Sequence, residues 1–241
     1  MFIASYNPKS IGDVLVVVLR PDTIQQKSEK KGNVVRIFDA ESNTTLGYNF
    51  FGISTVLADL QGHGEEQLNQ EQVDKLNKLL EENDFDPELI LDANPKFVVG
   101  YVESMKEHPD SDHLHITKVK VDNDQELQIV CGAPNIDEGQ KVVVAKVGAM
   151  MPNGAMIFPG KLRGVESMGM ICSARELELP NAPQKRGILV LPETDAFEAE
   201  FGIGLLDYLG YNLTWMETCP TYQDFLKKFE SEYGPFRILD F

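Results

Sequence analysis

From Phe97 onward, four runs of β-forming residues follow one another at intervals of roughly ten residues: "FVVGYVESM", "HITKVKV", "ELQIVCG" and "KVVVAKVG". Gly, Asp and Asn clusters punctuate them, and helical pattern is nearly absent as far as about Leu191. In "HITKVKV", Thr117, Val119 and Val121 fall on one face of a strand, and Lys118 and Lys120 fall on the other. Short, evenly spaced strands of this kind predict a small closed β-barrel or a sandwich. One short helix is expected, at "SARELEL", where Ser173 and Glu176 have the spacing of a capping box.

The residues before this array read differently. "VLVVVL", "NVVRIFDA" and "TTLGYNFFGI" are β-branched and aromatic, with "KSEKKGN" (Lys27 to Asn33) as a charged hairpin connection. Asn69 to Phe85 is a helix candidate. Asn69 can cap it with Gln72 completing the box, and Val73, Leu76, Leu79 and Leu80 form an apolar stripe facing a core. The fold class expected is therefore mixed: an all-β unit, barrel or sandwich, preceded by a smaller α+β domain. "DFDPELILDANPKF" is the linker candidate. The division expected is 1–94, 95–200, and a C-terminal extension over 201–241. That extension should be partly helical, since Phe225, Phe229 and Tyr233 are spaced four apart.

At six residues, "VLVVVL" is far below the ~20 needed to cross a membrane, and no small-residue cleavage site follows it. Cys131, Cys172 and Cys219 contain no CxxC pair, which argues against a disulfide framework and a four-ligand zinc site. A cytoplasmic protein without a membrane partner is expected. The net charge of −16 opposes nucleic-acid binding, because phosphates need Lys and Arg. Charge is local, however. Residues 1–94 carry 8 basic and 16 acidic side chains, whereas Lys141 to Arg186 carries 7 basic against 3 acidic. Such an island can aim an anionic partner at one face.

Other motifs carry less. "HPDSDHLH" (His108 to His115) meets no fixed metal-ligand spacing and reads as a turn entering a strand. Cys131 in "VCGAPN" is a nucleophile only if a His lies beside it, and a lone Cys after a β-run is more often a small buried hydrophobe. "GAPNIDEGQK" is not a phosphate loop. No catalytic residue, metal or cofactor is expected.

"LRGVESMGMICSARELELP" (Leu162 to Pro180) lies inside the basic island. Arg163 offers a planar fork suited to phosphate, Ser167 a hydroxyl able to meet a ribose 2′-OH, and Met168 and Met170 adaptable apolar contacts. Gly164 and Gly169 are read as bends in one barrel strand, and alternation puts at least one Met in the core. This mixture suits a folded RNA read by shape, without DNA sequence specificity.

With "VVGYVESMKEHPDSDHL", "IVCGAPNI" and "GQKVVVAKVGA" in order before it, this stretch resembles the tRNA-binding OB-fold domain. That module also occurs in the bacterial phenylalanyl-tRNA synthetase β-subunit, at the C-terminus of methionyl-tRNA synthetases and in EMAP II. The resemblance covers residues 97–200, about 43% of the chain, and the added N-terminal domain looks like the bacterial YtpR family. It implies a five-stranded barrel that binds tRNA or other structured RNA without catalysis. The S-x-x-M signature falls on Ser167 and Met170, its preceding Arg on Arg163, and its Asn on Asn135. Lys141, Lys161 and Arg175 complete the expected RNA-binding set. Where that family usually reads "HP.ADKL", Ser111 replaces Ala and His113 replaces Lys, which lowers the local positive charge. Stand-alone members are often homodimers, so a second copy is an expected partner. The alternative reading is a protein–protein module whose barrel has lost RNA affinity while the acidic N-terminal domain docks a partner.

Overall fold

The computed structural model describes residues 2–62, 64–179 and 182–191. The expected C-terminal extension, with its Phe225/Phe229/Tyr233 stripe, lies outside these described residues. The chain divides into two compact units between Ala93 and Asn94.

The first unit contains β1 (Ile3–Tyr6), the short α1 (Pro8–Ile11), β2 (Val14–Val18), β3 (Gln26–Lys31), β4 (Val34–Asp39), β5 (Thr45–Phe51), β6 (Gly64–Glu65) and α2 (Gln70–Glu82). Its sheet runs β3-β4-β5-β2-β1-β6. Helix α2 starts where the sequence places it. The Asn69 side chain accepts the Gln72 amide N–H at 2.9 Å, and the Gln72 side chain accepts the Asn69 amide N–H at 2.9 Å. Val73, Leu76 and Leu80 are fully buried in one cluster with Leu15, Val17, Tyr48 and Phe50 of the sheet. Each such side chain contributes about 1.5–3 kcal/mol. The charged run "KSEKK" is a strand rather than a connection. It forms most of β3, paired with β4 from Gln26↔Asp39 to Lys31↔Val34, and Gly32 and Asn33 alone turn the chain. An edge strand exposed on both faces accommodates lysines that an inner strand would exclude.

The second unit is a nearly closed, OB-like barrel. Its elements are β7 (Phe97–Glu107), β8 (His115–Lys120), β9 (Glu126–Cys131), β10 (Lys141–Lys146), β11 (Gly160–Leu162), β12 (Val165–Ser167), β13 (Gly169–Ile171) and β14 (Val190–Leu191). The sheet order is β13-β10-β7-β8-β9, with β14 also pairing with β10. The first four β-type runs are thus β7 to β10. Thr117, Val119 and Val121 are buried, and Lys118 and Lys120 are exposed. Closure comes where β12 and β13 meet β9. The Met168 N–H donates to the Gln128 carbonyl at 2.8 Å, and the Gln128 side-chain amide donates to the Glu166 carbonyl at 2.8 Å.

Two expectations change here. The stretch read as one bent strand is three short strands, because Arg163 and Gly164 make a hairpin turn between β11 and β12. "SARELEL" forms its capping box, with the Ser173 N–H and hydroxyl donating to Glu176 Oε2 at 2.8 and 2.6 Å. It nevertheless stays a turn and does not become a helix. Glu178 takes a left-handed φ of 52°, and the backbone closes on itself through Leu179 N–H to Ala174 O at 3.0 Å.

One buried ion pair ties the barrel strands together. Lys146, at the end of β10, donates to both carboxylate oxygens of Asp122 at 2.8 Å, and the two side chains are only 11% and 4% exposed. Asp122 opens the β8–β9 connection, where Asn123 and Asp124 both have left-handed φ.

Candidate nucleic-acid interface

The β11–β12 hairpin pairs Gly160↔Ser167, Lys161↔Glu166 and Leu162↔Val165, leaving Arg163 and Gly164 as its two turn residues. Their φ values are 46° and 84°, the sign that a tight primed turn requires. Gly164 carries that conformation without steric cost, whereas Arg163 needs support. The β7–β8 loop supplies it. The Arg163 guanidinium donates to the Asp110 carbonyl. One residue back, the Leu162 carbonyl accepts from Nε2 of His108 at 3.1 Å. His108 is 2% exposed, and its Nδ1 accepts the Asp110 N–H at 3.1 Å. With Nδ1 acting as acceptor, the ring proton sits on Nε2. A buried imidazole thus fastens loop 108–114 to the hairpin that presents Arg163.

Further along the loop, His113 Nδ1 lies 2.8 Å from Asp112 Oδ1 and 3.3 Å from the Ser111 hydroxyl. The His113 hydrogen bond, and in smaller part the charge of Arg163, hold the Asp112 carboxyl below the usual carboxylate range. On the neighbouring strand end sits Gly132. A Cβ there would crowd Leu114 Cδ2 at 2.9 Å and would lie 3.5 Å from Arg186 Nη2 and 3.9 Å from His113 Cδ2, so the two side chains face the same spot. Arg186 donates from Nη2 to the Gly132 carbonyl at 2.9 Å.

The cations of this unit differ in their pairing. Lys118, Lys120, Lys146 and Lys161 are each paired with a carboxylate (Glu126, Asp124, Asp122 and Glu166). Arg163, Arg175 and Arg186 are exposed, and none has an ion pair among the described residues. Leu162 and Met168 are 40% and 37% exposed on the same hairpin region. Positive forks beside accessible apolar side chains are the surface a folded RNA engages.

Cys131 lies directly across the β8–β9 ladder from His115. A Cys–His neighbourhood therefore exists, but burial pushes the Cys131 thiol up, and it pushes that of Cys172 to about 12. Nucleophilic work needs the thiolate, which this environment disfavours. Among the described residues no group of three His, Cys, Asp or Glu side chains is placed to hold a metal ion. No helix among them is long and apolar enough to cross a membrane.

Residues 97–197 match the family model described as "Putative tRNA binding domain", and residues 21–92 match "Domain of unknown function (DUF4479)". The "Putative tRNA-binding protein YtpR" of Bacillus subtilis (strain 168) is 50% identical over 189 residues, spanning 78% of this chain and 93% of that protein. The chain belongs to the YtpR family. Phenylalanine–tRNA ligase beta subunits are also similar. That of Oceanobacillus iheyensis is 51% identical over 115 residues, and that of Acinetobacter baylyi 46% over 112. Each match covers 46% of this chain but only 14% and 13% of those subunits, so the likeness concerns one module of a much larger protein.

In this YtpR-family chain the signature residues have divided tasks. Arg163 and Arg175 stand out from the surface, and Lys161 is exposed but 3.5 Å from Glu166. Lys141 begins β10 opposite Tyr101 and Leu191. Ser167, read from sequence as an RNA-facing hydroxyl, is 5% exposed. Its Oγ accepts the Val130 N–H at 3.1 Å and donates to the Gly169 carbonyl at 3.2 Å, joining β12 to β9. Met170 packs half-buried against the core around Cys172, and Met168 is the exposed one of the pair. The Asn135 side chain bonds the Ile188 backbone twice, at 2.8 and 3.0 Å, fixing the approach to β14. The signature thus builds the barrel as much as it decorates it. Ser167→Ala should lower stability by about 1–3 kcal/mol, because the Val130 N–H is left unpaired in the interior. tRNA affinity per folded molecule should change less than about twofold, well short of a lost charged contact. Urea unfolding and titration of the folded variant measure the two separately, and a large affinity loss at unchanged stability would put the hydroxyl at the RNA.

Arg186 is the residue that sequence motifs missed. It counted toward the basic island, but only the fold brings it to Gly132, across 54 residues of chain.

Proposed function

We propose that this protein binds tRNA, or a closely related structured RNA, without catalysing a reaction on it. The match of residues 97–197 to a tRNA-binding domain carries the reading, and the arginines left without carboxylate partners support it. Residues 95–200 form the RNA-binding part, 1–94 a separate part, and 201–241 an extension. Arg163, Arg175, Lys161 and Lys141 contact RNA, whereas Ser167, Met170 and Asn135 shape the surface that does so. The same reading puts the protein in the cytoplasm, with two copies pairing to present two RNA surfaces.

An electrophoretic shift assay with bulk tRNA at low and moderate salt tests this. The expected result is a shift at low salt that weakens steeply as salt rises, because each phosphate contact releases counterions. No shift at low salt and high protein concentration would overturn the proposal. A protein partner retained through nuclease treatment, together with that negative result, would select the interaction-module reading instead.

A further inference from the structure

We infer that Arg163, anchored on loop 108–114 at Asp110, and Arg186, anchored at Gly132 beside that loop's His113, form a seat for the phosphodiester backbone of the bound RNA. The inference rests on the RNA-binding reading and adds to it a specific anion site.

Three observations carry it. Each guanidinium is tethered by an N–H to a backbone carbonyl, Arg163 to Asp110 and Arg186 to Gly132, which leaves its remaining donors free. A tethered fork loses less side-chain freedom on binding than a lysine, so more of its attraction appears as affinity. Next, the two anchors belong to one small region. Asp110 and His113 share the loop, and a Gly132 side chain would touch both His113 and Arg186. Last, Lys118, Lys120, Lys146 and Lys161 of this unit are neutralised by direct carboxylate pairs, whereas neither of these exposed arginines has one among the described residues. In a chain of net charge −16, a site needs its cations unspent. Asp110 and Asp112 are the opposing carboxylates of the loop, and Asp112 is held 2.8 Å from His113 Nδ1. Glu176, close enough to act on Cys131 together with Arg186, is turned toward Ser173.

Phosphate fits better than an acidic peptide. The forks are planar and separately anchored, so each can engage an anion bidentately, and the exposed Leu162 beside Arg163 adds an apolar contact.

The test compares the wild-type full-length protein with Arg186→Gln, Arg186→Lys, Arg163→Gln and Lys118→Gln. Bulk tRNA affinity is measured across a salt series, and thermal unfolding confirms that each variant is folded. Arg186→Gln and Arg163→Gln should each weaken binding about fivefold or more at moderate salt and flatten the log–log salt slope by about one. Arg186→Lys should keep the slope while losing part of the affinity. Lys118→Gln, on a strand face remote in register from the loop, should change neither. Wild-type binding with an unchanged affinity and slope in folded Arg186→Gln would overturn the seat and leave RNA binding standing. No binding by wild type would overturn both. Binding that survives Arg186→Gln for tRNA but fails for an acidic polypeptide would reassign the site to a protein.

Discussion

Asp122→Asn is expected to lower the stability of the barrel unit by about 3–5 kcal/mol, the cost of leaving a buried ammonium without its counter-charge. The geometry makes this a severe case. Lys146 reaches both oxygens of Asp122 at 2.8 Å, so the carboxylate is its principal partner, and both groups are nearly removed from water. Asparagine keeps the shape and one acceptor but removes the charge. The ammonium must then lose its proton, draw in water or pull β10 away from the β8–β9 connection. Urea unfolding should show a lower midpoint with little change in slope, the signature of lost stability without altered compactness. The double variant Asp122→Leu, Lys146→Met should recover most of the loss, because an apolar replacement of a buried pair is often neutral or better. A single-variant loss below about 1 kcal/mol would mean that water reaches the pair, as it does for surface bridges.

That pair also shows where sequence reading stops. The β-runs, the period of two in "HITKVKV", and the Asn69–Gln72 cap were legible because each depends on residues within a few positions of one another. Lys146 enters the basic island only as a charge, since nothing local reveals a carboxylate 24 residues away. The internal bonds of Ser167 and Asn135 are hidden from the sequence for a related reason. Small polar residues in an irregular stretch look available for a ligand, and only the closed barrel shows their bonds to Val130 and Ile188. The edge strand β3 was mistaken for a connection because its charges obey the rule for edges rather than the rule for buried strands. The arginine forks were partly legible. Arg163 carried a motif, whereas Arg186 had only its charge until the fold set it beside His113. In this molecule local chemistry predicts elements, and long-range pairing decides which polar side chains remain for function.

His108 links those two levels, and its substitutions should separate them. One imidazole serves two partners, accepting from the Asp110 N–H and donating to the Leu162 carbonyl. His108→Ala removes both bonds in a buried setting and should cost about 1–3 kcal/mol for each. The more informative variants keep one bond apiece. Gln places an amide N–H near the position of Nε2 and so retains the tie to Leu162 and the hairpin. Asn places an oxygen near Nδ1 and so retains the loop turn but releases the hairpin. If the imidazole acts by positioning Arg163, His108→Gln should bind tRNA within about twofold of wild type, and His108→Asn should bind about tenfold more weakly, the equivalent of one lost charged contact. The two should be destabilised to similar degrees. Affinity that instead falls in step with thermal stability in both variants would make His108 a fold residue alone. A split between Gln and Asn would show that the hairpin tip must be held, not merely present, for its arginine to meet RNA.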